Sequence, residues 1–177
     1  MNDMIQERHP ISSDLARRMK RGKVVSMDEA VHVIRNGDTV AFGGFVGCGF
    51  AEGIAKEIER QFIEQGRPLE LTIIYSAGIG DGKEKGLNHL AHEGLVNCVI
   101  GGHWGLVPKL QKLAIENKIE AYNLPQGVIS HMLRDIAAHN PRTISKVGLG
   151  TFVDPRHGGG KINERTTEDI VELLSFD

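Results

Sequence analysis

Asn123-Leu124-Pro125-Gln126-Gly127-Val128-Ile129-Ser130-His131 joins a conformational lock, a neutral amide and a helix entrance in one short stretch. Pro125 fixes φ and biases Leu124 toward extended backbone, so Glu120 to Leu124 reads as a strand that stops at the proline. Val128, Met132 and Ile136 recur at helical spacing and predict a following helix with those three on one face. Gln126 then stands at the carboxyl end of a strand, where open α/β sheets place their ligands. Gly127 leaves room for a ligand or a second backbone to approach. Taken by itself, Pro-Gln-Gly is also an ordinary turn. The rest of the chain favours a site, because the same strand-to-helix transition recurs upstream.

Thr39 to Phe42 is a short apolar strand that runs into Gly43-Gly44-Phe45-Val46-Gly47-Cys48-Gly49, and Ile54, Ile58 and Phe62 then mark an amphipathic helix ending near Gly66. Leu69 to Tyr75, rich in β-branched residues, opens into Ser76-Ala77-Gly78-Ile79-Gly80-Asp81-Gly82 and a short helix around Leu87 to His92. Val96 to Ile100 ends in Gly101-Gly102-His103-Trp104-Gly105, and Pro108 opens a helix carrying Leu110, Leu113 and Ala114. Lys146 to Leu149 reads as a fifth strand after Glu120 to Leu124, ending at Gly150. Nearly continuous apolar strands alternating with helices predict an open, mainly parallel α/β sheet with helices on both faces. Its glycine-rich strand ends gather along one edge.

The flanks are less regular. Residues 1–22 form a polar lead-in with a short helical attempt around Leu15 to Met19, and residues 23–177 form one domain. Ser26 with Glu29 has the spacing of a capping box, starting a helix that runs to Asn36-Gly37. Asp154 to Asn163 reads as a loop. Ile170 to Leu174 is an apolar cluster that suits a helix or a strand, an unfinished element whose partner is expected on another polypeptide.

With 177 residues, 40% of them hydrophobic and a quarter charged, the chain has an ordinary globular composition sufficient for one core. The 21 basic and 23 acidic residues nearly cancel, giving −2, so a nucleic-acid partner is not expected and any anion site must be local. No run approaches membrane-spanning length. Cys48 and Cys98 lack metal-ligand spacing and read as buried reduced thiols, which fits a cytoplasmic protein. No metal site is expected.

The Gly43 to Gly49 loop, between a strand and a helix, presents backbone amides to an anion. It lacks the Gly-Lys-Ser/Thr ending of a phosphate-binding P-loop and does not match Gly-x-Gly-x-x-Gly, which counts against nucleotide triphosphates and dinucleotides. Close packing of loop on sheet explains the same glycines. His89 and His92 are spaced as neighbours on a helix without the intervening Glu of a zinc motif, so a solvated helix face is expected. Trp104 is expected in the core, although His103-Trp104 could also line a pocket. No nucleophile elbow and no carboxylate pair stands out. The residues alone describe hydrogen-bond donors aimed at a small ligand. They leave open a non-catalytic module that binds a nucleotide at the glycine-rich edge, and a sugar-phosphate isomerase-like protein if acid/base carboxylates were present.

Together, Gly43 to Gly49, Gly101 to Gly105, Glu120 to Gly127 and Gly148-Leu149-Gly150-Thr151-Phe152-Val153-Asp154-Pro155-Arg156 resemble the alpha half of family I coenzyme A transferases, nearest the propionate or acetate branch. The resemblance implies the family's open α/β alpha domain over residues 23–177. It also implies an acyl-CoA and a short-chain carboxylate as substrates, with coenzyme A a substrate and not a tightly bound cofactor. In that family a glutamate of the beta half attacks the thioester, and CoA passes to a second acid through a glutamyl-CoA intermediate. The family's Pro-Gln-Gly glutamine is associated with the oxyanion, which makes Gln126 the catalytic contact by resemblance. Gly43, Gly44, Phe45, Gly47, Gly49, Gly102 and Gly127 become the expected coenzyme-binding residues. The beta half, or another copy of the chain, is the implied partner; the alternative is a non-catalytic acyl-CoA or nucleotide-binding module, or a truncated remnant, of the same fold. Related ketoacid transferases carry Ile-Pro-Glu where this chain has Phe50-Ala51-Glu52. Neither Glu52 nor Glu120 is promoted to the missing nucleophile.

Overall fold

The computed structural model describes residues 22–175. The expected helix at Leu15 to Met19 lies outside them.

Helix α1, Met27–Val31, starts as expected at Ser26, whose Oγ accepts the Glu29 N–H at 3.2 Å. It stops well short of Gly37. The backbone tightens into a turn in which the Ile34 N–H reaches the Val31 carbonyl at 2.9 Å, and Ile34 still packs on the core. Strand β1 is Thr39–Phe42 and helix α2 is Glu52–Gln65, closed by Gly66 at φ +67°. Strand β2, Leu71–Tyr75, leads to a single 3₁₀ turn at Leu87–Leu90, then to β3, Val96–Gly101. Helix α3, Pro108–Ile115, precedes β4, Glu120–Asn123, and helix α4 is Gln126–Ala137.

The four strands are parallel and lie in the order β1-β2-β3-β4. Right-handed crossovers that all step in one direction put every connecting element on one face. The core follows that rule. Val31 from α1, Ala55 and Ile58 from α2, Leu87 and Leu90 from the 3₁₀ turn, and Leu110 from α3 cluster with Leu71, Ile73, Tyr75 and Val99 of the sheet. Alternation sends Ile74 and Ile100 to the opposite face, where they meet Ile129, Met132 and Leu133 of α4 with Val153 and Val171. Both faces are therefore covered, but unequally. Over β1 the second face is open, with Thr39 and Ala41 exposed.

Two expectations are corrected on that second face. Lys146 to Leu149 is not a strand. Gly148 and Gly150 take φ of +98° and +75°, and the Thr151 N–H and hydroxyl both close on the Gly148 carbonyl, so this segment turns with Val147 and Leu149 exposed. The inward stripe of α4 is Ile129, Met132 and Leu133 instead of Val128, Met132 and Ile136, because Leu124 and Ile74 lie under Ile129 and leave Ile136 outside.

The outer edge of β4 is closed by a segment read only as loop. Lys161 bridges Tyr122 antiparallel, the Asn123 N–H donates to Gly160 at 2.8 Å, and the Ala121 N–H donates to Thr166 Oγ1 at 2.7 Å. Residues 170–174 have neither helix nor strand; Val171 packs inward, while Ile170, Leu173 and Leu174 stay partly exposed.

Candidate functional site

The four strands deliver their glycine-rich ends to one edge, as expected. In the first loop Phe45 and Cys48 exchange backbone hydrogen bonds of 2.9 and 2.8 Å, making a tight turn over Val46 and Gly47. Val46 has φ +57°, a region that a β-branched side chain rarely enters. It is held there by its neighbours: its N–H donates to Gly78 at 2.7 Å and its carbonyl accepts the Gly80 N–H at 3.0 Å. The strain, about 1–3 kcal/mol for such a residue, persists because two loops fix it from both sides. The result presents Phe45 outward, 65% exposed. Gly44, at φ +140°, packs on Phe50, whereas Gly43, Gly47 and Gly49 have open space where a side chain would be.

Gln126 is the first residue of α4 and is exposed. Pro125, with φ −59° and ψ 132°, turns the chain from β4 into the helix, and the Leu124 N–H extends the ladder to the Gly101 carbonyl at 3.1 Å. Gly102 explains where the Gln126 side chain can lie. A Cβ at Gly102 would stand 2.1 Å from the Ser76 carbonyl oxygen and 2.7 Å from Gln126 Cγ, so the loops after β2 and β3 and the head of α4 converge on this glycine. The Gln126 amide has no hydrogen-bond partner among the described residues, leaving its N–H groups available. Gly127 is exposed with open space beside its Cα.

His103 is exposed and lies against Gly78 and Gly105, while Trp104 turns into the core against Tyr75 at 6.3 Å between ring centres. Trp104 Nε1 and the Tyr75 hydroxyl are both buried without a partner among the described residues. Burial drives the Tyr75 phenol above its ordinary range. The thiols part company. Cys98 is buried, its pKa pushed up to about 12 by burial and by Glu120 and Glu168, but Cys48 is exposed because the turn that pairs it with Phe45 projects from the sheet.

His89 and His92 do not form a solvated face. His89 Nε2 lies 3.0 Å from Glu52 Oε1 and its Nδ1 2.6 Å from Glu59 Oε2, while His92 Nε2 lies 2.8 Å from Glu59 Oε1. Burial works against ionised Glu59, but the hydrogen bonds from His92 and His89 outweigh it and hold the carboxyl below its ordinary range. The other Glu52 oxygen accepts the Gly86 N–H at 3.0 Å, tying α2 to the loop after β2. Spacing held only part of the signal: Glu52 and Glu59 sit two turns apart on α2, whereas His92 lies past the end of the 3₁₀ turn that carries His89, and nothing local pairs the two sets. No cluster suited to a metal ion occurs among the described residues.

The last motif is organised by buried Asp154. Its carboxylate accepts Arg156 Nε and Nη2 at 2.9 and 2.6 Å and the N–H groups of Gly150 and Arg156 at 2.8 and 3.0 Å. These bonds, the Arg156 side chain foremost, hold its carboxyl far below the usual range. The motif thus has a structural account as a self-bonded loop.

A four-stranded parallel sheet with glycine-rich strand ends along one edge, and a glutamine amide seated on a glycine of the neighbouring loop, defines an open α/β domain. The profile of the family described as Coenzyme A transferase matches residues 24–173, and the chain belongs to that family. It is 44% identical over 159 residues to the acetate CoA-transferase YdiF of Escherichia coli (strain K12), which covers 89% of this chain and 30% of the relative. It is 43% identical over 155 residues to the caffeate CoA-transferase of Acetobacterium woodii, with 88% and 30% covered. The crystal structure of the acyl-CoA transferase YdiF from E. coli O157:H7, a thioester complex with CoA, superposes with a TM-score of 0.84 at 44% identity over 86% of this chain and 32% of that one. The acetate CoA-transferase subunit alpha of E. coli (strain K12) is 26% identical over 75% of this chain and 57% of its own length. The chain thus spans about a third of the length of its 43–44% identical relatives. Among the described residues no helix is long and apolar enough to cross a membrane.

Proposed function

We propose that this chain is the alpha part of an acyl-CoA:carboxylate CoA-transferase of the acetate or propionate type, acting in the cytoplasm with a beta part, or within an oligomer, that supplies the nucleophilic glutamate. Coenzyme A serves as substrate, and no tightly bound cofactor or metal takes part. The observation that carries the reading is the Gln126 amide, unpaired at the carboxyl end of β4 and supported by Gly102.

Attack of a carboxylate on a thioester places negative charge on the former carbonyl oxygen. A fixed N–H that meets this charge lowers the barrier by about 3–4 kcal/mol in comparable oxyanion sites. A neutral amide suits the role, since a cation would hold the carboxylate product. The exposed first loop and Gly127 leave their backbones open to the pantetheine arm, and Gly102 serves by keeping Gln126 in place. The names of the relatives, acetate and caffeate CoA-transferases, support an acyl-CoA and a small carboxylate as the exchanging pair.

The test is CoA transfer from acetyl-CoA to propionate, followed as propionyl-CoA formed. The purified chain alone is expected to be silent, and addition of a beta part bearing the glutamate to give turnover. Robust turnover by the chain alone would sink the division of labour.

A further inference from the structure

A cavity of about 360 Å³ lies between the first glycine loop and the loop that follows β2, walled by Val46 and Gly47 on one side and Gly80 and Gly86 on the other. That volume falls in the range of small-ligand sites, roughly 300–1,000 Å³. Glu52, Lys56, Asp81 and Lys85 also line it.

The charges there are not equivalent. Glu52 is committed on both oxygens, to His89 and to the Gly86 N–H. Asp81 Oδ1 accepts the N–H groups of Lys83, Glu84 and Lys85 at 2.9, 2.9 and 3.0 Å. Glu52 is thereby spent inside the fold, and Asp81 spends one of its two oxygens on the turn that carries Lys85. Neither Lys56 nor Lys85 has a side-chain partner among the described residues, although Lys109 and Lys118 pair with Glu84 and Glu93. The Gly47 N–H is likewise without a partner among them. The cavity is therefore lined by two exposed lysines without a side-chain partner and by a free backbone donor, groups of the kind that recognise an oxyanion.

The walls are also fixed in advance. Gly80 and Gly86 bridge each other, and a Cβ at Gly80 would stand 2.3 Å from the Leu106 carbonyl oxygen, so the loop bearing Lys85 is braced against its neighbour. The backbone donor at Gly47, held in the turn between Phe45 and Cys48, loses little freedom when an anion arrives.

We propose that this cavity is an anion subsite in which Lys56, Lys85 and the Gly47 N–H hold a phosphate group of coenzyme A. The assignment to coenzyme A rests on the transferase reading above. The anion site itself does not.

The experiment titrates the purified 177-residue chain with pyrophosphate, coenzyme A, pantetheine and acetate, reading affinity by calorimetry and location by amide resonances. Pyrophosphate and coenzyme A are expected to shift Gly47, Lys56, Lys85 and Gly86 together, and pantetheine and acetate to leave Lys56 and Lys85 still. The double variant Lys56→Gln, Lys85→Gln should weaken coenzyme A and pyrophosphate at least tenfold, with affinity regained by Lys56→Arg, Lys85→Arg. Lys112→Gln, on α3 away from the cavity, controls for net charge. Coenzyme A binding at full strength in the double glutamine variant would overturn the subsite while leaving the transferase reading intact. Pyrophosphate binding lost in that variant, with no coenzyme A bound by the parent chain, would overturn coenzyme A as occupant and count against the transferase reading. Acetate moving the same amides would overturn a phosphate in favour of the acceptor acid.

Discussion

Gln126 is placed by proline and glycine more than by its own contacts. Pro125 sets the angle between β4 and α4, and the absence of a Cβ at Gly102 lets the Gln126 stem and the Ser76 carbonyl close in. Gly102→Ala puts a methyl against backbone that has nowhere to go, so it should destabilise by about 1–3 kcal/mol, as overpacking does, and displace Gln126 as well. Chemical denaturation and turnover of the assembled enzyme should fall together; loss of stability without loss of turnover would separate Gly102 from Gln126. Tyr75 makes the opposite case. Its buried hydroxyl lacks a partner among the described residues, and the desolvation of such a group costs about 1–3 kcal/mol. Tyr75→Phe is therefore expected to leave stability unchanged or raise it, read as the urea midpoint. A drop of more than 1 kcal/mol would mean that the hydroxyl is satisfied in solution, with a bound water the natural partner.

At the scale of elements, α2 and the 3₁₀ turn after β2 are joined by imidazole and carboxylate as well as by Ile58, Leu87 and Leu90. Removing His89 leaves Glu52 and Glu59 each short of a hydrogen bond to a largely screened carboxylate. His89→Ala should cost about 1–3 kcal/mol and loosen Gly86, seen as faster amide exchange in residues 81–86; unchanged exchange would show that the loop is held by Asp81 alone. This clamp was illegible locally because its members lie 30 to 37 residues apart. The strands were legible because each is a compact apolar run ended by glycine or proline, and the strand bounds at Thr39, Phe42, Val96 and Glu120 agree with the structure. The supposed fifth strand failed for a reason of the same kind: Lys146 to Leu149 has the composition of a strand, but Gly148 needs positive φ for a turn, and a sequence does not print dihedrals. The site divides along the same line. The position of Gln126 between a strand end and a helix start was readable from Pro-Gln-Gly, whereas the cavity beside Lys56 and Lys85 depends on two loops folding against each other.

For the molecule as a whole, the carboxylates set the response to acid. Hydrogen bonds hold Glu59, Asp135 and Asp154 below their ordinary values, led by His92 and His89 against burial in the first, by Thr143 in the second and by Arg156 in the third. A folded pKa below the unfolded one means that the unfolded chain binds more protons across the interval. Their stabilisation is therefore fully present above pH of about 4–5 and lost as pH falls through the folded values. The melting temperature should hold from neutral pH to about 5 and drop below about 4, with a shallower drop in Asp154→Asn once its lower starting stability is allowed for. A melting temperature that rises on acidification would contradict this. The second face carries a different message at the same scale: Ile136, Val147, Leu149 and Phe152 are exposed on or beside α4, in a chain about a third as long as its 43–44% identical relatives. The exposed apolar side chains are in keeping with the proposed division of labour, in which Gln126 donates and the nucleophile is supplied by a beta part. The direct test is steady-state CoA transfer by the chain assembled with its beta part, comparing the parent with Gln126→Ala. The account predicts kcat lower by about 100-fold or more, with KM changed only a few-fold, because the donor acts on charge that exists only in the transition state. An unchanged kcat would contradict it.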